Sequence, residues 1–154
     1  MHNLYPTLYH RSARRYAETA PRPLARFNRS GWTGAQPFSQ IVWGGDPSTD
    51  WGFDGLTSAV RQALSIGLSG ISLWGSDIGG YFALNERHLT PELLRRWVEF
   101  GFASGVMRTE ATGFDLPDHG ARPEIVDKDV LPVWRRYARM RTQLYPYLAA
   151  AERT

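Results

Sequence analysis

Three acidic residues and one arginine stand where chemistry is possible. Asp46 follows Trp43-Gly44-Gly45 and precedes Pro47. Asp before Pro is a common turn or helix start. Its functional reading is a carboxyl beside an indole, where burial against apolar rings raises the pKa as a general acid requires. Asp77 lies in Ser76-Asp77-Ile78-Gly79-Gly80-Tyr81. It reads either as an Asx-turn closing the loop or as a carboxylate that accepts hydroxyl hydrogen bonds. Arg29 precedes a Gly-rich loop. It is either a surface cation or a guanidinium that clamps a hydroxyl pair or keeps a nearby carboxylate ionised. Arg108 and Glu110, two residues apart, read first as an ordinary exposed ion pair.

Other chemistries find no support. The four histidines, at positions 2, 10, 88 and 119, lack metal-ligand spacing, and no cysteine is present. Neither a metal nor a cofactor is expected, since G-x-S-x-G, P-loop and G-x-G-x-x-G motifs are absent. Seventeen of the 18 basic residues are Arg, dispersed singly or in pairs, against 15 acids. That pattern reads as solvated helix faces, so no nucleic-acid partner is expected despite a pI near 9.5. No apolar run approaches the roughly 20 residues of a membrane span, and no signal peptide is visible. The expectation is a cytoplasmic chain without a membrane partner. Six Trp, seven Tyr, seven Phe and 15 Gly suit sugar-binding loops, with flat rings for sugar faces and glycine for sharp turns.

The elements that must position these residues alternate in type. Residues 4–18 read as a helix with Tyr5, Leu8, Tyr9 and Tyr16 close to one face, ended by Pro21 and Pro23. Strands are expected at 24–29, 40–43, 71–74 and 105–108, each running into a polar or glycine-rich loop. A helix over 54–69 places Leu56, Val60, Ala63, Leu64 and Gly67 on one face. Thr90-Pro91-Glu92 is a helix start, with an N-cap hydroxyl, Pro at the first position and an acid in the first turn. Leu93, Leu94, Trp97, Val98 and Gly101 form its apolar face. Residues 111–126 read as a loop. The last helix, 129–151, carries Val133, Trp134, Tyr137, Arg141, Leu144 and Leu148 in register, with a kink expected at Pro146. The order α-β-β-α-β-α-β-α implies a parallel α/β sheet with crossover helices. Arg29, Asp46, Asp77 and Glu110 fall after its strands, where such sheets carry chemistry.

Taken in order, the strings match a known pattern. R-S-G-W-T-G-A-Q (29–36), V-W-G-G-D (42–46), D-W (50–51), L-S-I-G-L-S-G (64–70), W-G-S-D-I-G-G-Y (74–81) and M-R-T (107–109) resemble the catalytic barrel of glycoside hydrolase family 31. M-H-N-L-Y-P-T-L-Y (1–9) resembles the helix after that family's nucleophile strand, and L-Y-P-Y-L (144–148) the end of the last barrel helix. The resemblance covers nearly the entire chain. It implies a retaining exo-α-glycosidase of α-glucosidase type acting on an α-linked oligosaccharide or α-glycoside. The family also holds α-xylosidases and sulfoquinovosidases.

By that resemblance Asp46 matches the acid/base, while Arg29, Trp43 and Asp77 match substrate-binding positions, with Tyr81 in place of a Phe. Glu110 stands where the family usually has a His that contacts sugar hydroxyls. An ionised Glu accepts but does not donate, so the hydroxyl contacts change. The family's D-x-N-E nucleophile motif lies upstream of the H-N-L-Y helix and has no match in these 154 residues. A whole eight-fold barrel takes about 250 residues. The expectation is therefore a partial (β/α)8 barrel, residues 1–154, holding roughly the last four strands and their helices. Its partner is the missing N-terminal half of the barrel. Alone, such a chain is expected to be inactive, or a non-catalytic carbohydrate-binding remnant, with open sheet edges and uncovered helix faces.

Overall fold

The computed structural model describes residues 2–83, 88–110, 114–115 and 121–151. Helix α1 spans Leu4–Thr19, strand β1 Phe27–Asn28 and strand β2 Ile41–Trp43, with a single 3-10 turn at Gln36–Phe38 between the strands. Helix α2 spans Leu56–Leu68. Strands β3 (Trp74–Gly75), β4 (Asp77–Ile78) and β5 (Phe82–Ala83) follow, then helix α3 (Pro91–Gly101). Strands β6 (Arg108–Thr109) and β7 (Phe114–Asp115) precede helix α4 (Leu131–Ala151).

Every strand pair is parallel. β1 pairs with β2 (Phe27 opposite Ile41), and β2 pairs with β3 (Val42 opposite Trp74). Only Ser76 separates β3 from β4, which pairs with β6 (Asp77 opposite Arg108). Val106 N–H donates to the Trp74 carbonyl at 3.2 Å, which extends that pairing backwards. Four strand segments thus lie side by side in chain order, with α2 and α3 as crossovers between parallel neighbours. A further pair, β5 with β7, lies beyond the β4 end, and Phe82 also bridges Ser48.

The core sits between these strands and the helices. α3 starts as its sequence dictates: Thr90 Oγ1 accepts from Leu93 N–H at 3.2 Å, and Pro91 opens the first turn. Its face of Leu93, Leu94, Trp97, Val98 and Gly101 is entirely buried. Gly101 is required there, because a Cβ would come within 2.5 Å of Ile78 Cδ1. From α4, Val133, Trp134 and Tyr137 pack on this core. Arg141, also from α4, donates to the carbonyls of Phe102 (2.8 Å), Ser104 (2.5 Å) and Gly105 (2.7 Å). It thereby satisfies carbonyls of the C-cap residue Phe102 and of the turn that follows α3. Pro146 stands inside α4.

Several expectations need correction. The strand over 24–29 shrinks to Phe27–Asn28, and the one over 71–74 begins only at Trp74. β6 likewise begins at Arg108 rather than at 105. On α2 the inward positions are Leu56, Ala59, Ala63 and Ile66, whereas Leu64 and Gly67 face solvent. Ala59 is the one fully buried residue of this helix, at the centre of its inward face. On α1, Tyr5, Leu8, Tyr9 and Tyr16 are all exposed, and buried His10 donates through Nε2–H to the Ser30 carbonyl instead. Of the loop expected over 111–126, residues 111–113 and 116–120 lie outside the described residues, and Phe114–Asp115 form β7.

Candidate active site

The candidate residues gather at and just past strand ends: Arg29 after β1, Trp43 at the end of β2 and Asp46 after it, Asp77 at the start of β4 just past β3, and Glu110 after β6. Arg29 follows β1 and reaches Asp46, with Arg29 Nη2 3.2 Å from Asp46 Oδ2. Asp46 lies three residues past β2, after a turn that Gly45 makes at φ 90°. Gly44 cannot be larger, since a Cβ would meet Gln62 Oε1 at 2.7 Å and Trp74 Cζ2 at 2.9 Å. The Asp46 carboxyl keeps 22% of its surface exposed, and Arg29 58%. A cavity of about 30 Å³ opens behind Asp46, lined also by Asp54, Gln62 and Ser76.

Trp43 joins this pair to a second one. The Arg29 guanidinium lies 5.0 Å from the indole centroid, a cation–π distance. The Trp43 indole N–H donates to Asp77 Oδ1 at 3.0 Å. Asp77 is fully buried, and Arg108 Nε donates to the same Oδ1 at 3.0 Å, joined by Nη2. Arg108 Nη2 also donates to Glu110 Oε2 at 3.0 Å. The Arg108 guanidinium lies 5.5 Å from the centroids of both Phe27 and Trp43. Burial pushes the Asp77 carboxyl above its ordinary pKa. The hydrogen bond and charge of Arg108 oppose that rise, Glu110 adds to it, and the Trp43 N–H opposes it.

The five sequence candidates therefore form one connected cluster. Arg29 is bound to Asp46 and stacked on Trp43, which is bound to Asp77, and Asp77 reaches Glu110 through Arg108. Asp77 does not make an Asx-turn; its loop closes by a backbone bond, Gly80 N–H to the Asp77 carbonyl at 2.9 Å. Its Oδ2 is buried and meets no donor among the described residues. Arg108 and Glu110 are not merely an exposed pair, because Arg108 is spent on a buried carboxylate. Arg108 and Phe27 were not singled out as site residues from the sequence. No sequence signal marks them: Arg108 stands directly opposite Asp77 through the register of the β4–β6 pair, which only the structure fixes. No cluster of three or more His, Asp or Glu that could hold a metal occurs among the described residues. No helix of the described residues is long and apolar enough to cross a membrane.

Parallel strand–helix units with acids, arginines and an indole at and just past the strand ends form an α/β barrel-type arrangement. Residues 1–151 match the glycosyl hydrolases family 31 TIM-barrel domain. The chain is 35% identical to a sulfoquinovosidase of Escherichia coli K12, over 98% of this chain and 22% of that one. It is 32% identical to an alpha-xylosidase of Emericella nidulans, over 97% of this chain and 18% of that one. A solved family 31 sulfoquinovosidase from E. rectale, in complex with an aza-sugar inhibitor, superposes with a TM-score of 0.81. That match has 34% identity and covers 95% of this chain and 22% of the other. The chain belongs to glycosyl hydrolase family 31. It spans about a fifth of the length of these relatives.

Proposed function

We propose that this chain carries the acid/base half of the site of a retaining exo-α-glycosidase of α-glucosidase type. Asp46 protonates the leaving oxygen and then activates water. Arg29, Trp43, Asp77 and Glu110 hold the sugar. The nucleophilic carboxylate comes from polypeptide outside these 154 residues, on the remaining barrel strands. Retaining catalysis places the two carboxyls about 5–5.5 Å apart, which demands that both sit on a rigid scaffold. The observation that carries the reading is the Arg29–Asp46 pair on the Trp43 indole, with Trp43 in turn fixed to buried Asp77. An arginine–carboxylate pair beside an indole and a buried acceptor suits a sugar ring, which offers an apolar face and a rim of hydroxyls.

The substituent on C5 separates the candidate substrates: hydroxymethyl in α-glucosides, hydrogen in α-xylosides, sulfomethyl in sulfoquinovosides. The test uses the three aryl α-glycosides, with the 154-residue chain alone and with a longer polypeptide that adds the upstream barrel strands. The chain alone is expected to release no aryl alcohol. The longer polypeptide is expected to hydrolyse one of the three with retention, and Asp46→Asn to lower its rate by about 10²–10⁴. Turnover by the chain alone that disappears in Asp46→Asn overturns the claim of inactivity. Full activity of Asp46→Asn in the longer form overturns the acid/base role.

Sugar binding without hydrolysis is the second reading. Buried Asp77 Oδ2, an acceptor with no donor among the described residues, favours it. Sugar-dependent rise of the melting temperature, with no turnover in either form, selects this reading.

A further inference from the structure

Among the described residues, Asp54 is the one non-glycine residue at positive φ, at 62°. Such a backbone disfavours an L side chain and persists where surrounding contacts impose it. The contacts are specific. Asp54 uses its carbonyl to accept from Ser48 N–H at 2.6 Å, and its Oδ2 to accept from Ser48 Oγ at 2.8 Å. Its own N–H donates to Ser58 Oγ on α2 at 2.8 Å. Ser48 lies two residues past Asp46. The residue between them, Pro47, accepts through its carbonyl from Tyr81 N–H at 2.7 Å and Phe82 N–H at 3.1 Å. Thr49 N–H continues this stitching to the Phe82 carbonyl at 2.8 Å.

We infer that Asp54, acting through Ser48, is a positioning residue for Asp46. The inference rests on the acid/base reading of Asp46. The left-handed turn at Asp54 lets its backbone carbonyl and its carboxylate grip the same serine, so the chain just past Asp46 is tied to α2. Pro47 ties it to the 81–82 segment. Upstream, Gly44 N–H donates to the Gly75 carbonyl at 3.1 Å. The Asp46 backbone is thus held on both sides, and its carboxyl is presented to Arg29. The cavity of about 30 Å³ shared by Asp46 and Asp54 has room for about one water, so little slack lies between them.

The test compares three variants of the 154-residue chain by NMR. Asp54→Gly keeps the backbone turn but removes the carboxylate. Ser48→Ala removes only the hydroxyl bond. Asp54→Asn retains both an oxygen acceptor and tolerance of the left-handed region. The readouts are the Asp46 Cγ resonance and the amide exchange of Ser48, Thr49, Tyr81 and Phe82. Leu94, bonded to the Thr90 carbonyl within α3, reports on global folding. Asp54→Gly and Ser48→Ala are expected to shift the Asp46 resonance and to speed loop exchange about tenfold, with Leu94 unchanged. Asp54→Asn is expected to restore both. An unmoved Asp46 resonance in Asp54→Gly overturns the inference. Loss of Leu94 protection in Ser48→Ala also overturns it, by assigning the contact to overall stability. None of these readouts requires turnover, so the inference and the acid/base reading fail separately.

Discussion

Arg108 directs both Nε and Nη2 at one oxygen of Asp77, Oδ1, and leaves Oδ2 buried without a donor among the described residues. A bidentate fork would use both oxygens. Here the guanidinium is turned sideways, because Nη2 also serves Glu110. Asp77 therefore keeps an acceptor aimed into a buried space, and its carboxyl is raised in pKa despite an adjacent cation.

The raised carboxyl makes stability depend on pH. A folded-state pKa above the ordinary 3.8 means that the folded chain binds the Asp77 proton more tightly than the unfolded chain. The stabilisation is fully present below 3.8 and is lost as pH rises through the folded-state value. Urea unfolding of the wild type and of Asp77→Asn, measured from pH 3 upward, checks this. The wild type is expected to lose stability relative to Asp77→Asn across that window, and to run parallel above it. A constant difference at every pH contradicts the linkage.

Removing the cation alone is expected to be more damaging than removing the pair. Arg108→Met leaves the Asp77 carboxylate buried with only the Trp43 N–H, at a cost of about 3 kcal/mol. Adding Asp77→Asn to Arg108→Met is expected to recover about half of that, since no buried charge then remains. A double-mutant cycle by denaturant unfolding reads the coupling. Simple additivity of the two substitutions contradicts a direct interaction.

The buried Trp97 indole N–H donates to Ser76 Oγ at 2.9 Å, and Ser76 is the residue that joins β3 to β4. Trp97→Phe leaves that hydroxyl unsatisfied and opens space in the core. A loss of about 2–4 kcal/mol is expected by urea unfolding. Because Ser76 precedes Asp77, the Asp77 backbone amide is expected to exchange faster in this variant. Unchanged exchange there separates the core role of Trp97 from any support of the site.

Thr90→Ala removes the acceptor for Leu93 N–H at the start of α3. The expected loss is about 1 kcal/mol. Thr90→Ser is expected to restore it, because serine supplies the same oxygen. Thermal unfolding of the three chains decides the point, and an undiminished Thr90→Ala contradicts the cap.

The sequence by itself determined α3, from Thr90-Pro91-Glu92 through its buried face, and the seat of α4 through Val133, Trp134, Tyr137 and Arg141. Those features follow from local rules: capping groups, a proline that fits only the first turn, and apolar spacing at the helical period. It also placed Arg29, Asp46 and Glu110 past strand ends, because short apolar runs broken by glycine loops mark those ends, whereas Asp77, expected in a loop, opens strand β4.

Only the tertiary structure decided how these residues meet. Arg108 reaches Asp77 because two strands 31 residues apart pair in one register, and no local pattern encodes that register. The inward face of α2 runs through Leu56, Ala59, Ala63 and Ile66 rather than Leu64 and Gly67, an offset decided by what the helix packs against and not by hydropathy. Asp54 adopts its left-handed turn because Ser48 and Ser58 hold it there. A strand places a residue by its spacing, whereas a shared proton acceptor is chosen by whichever donors the packed elements bring within 3 Å or so.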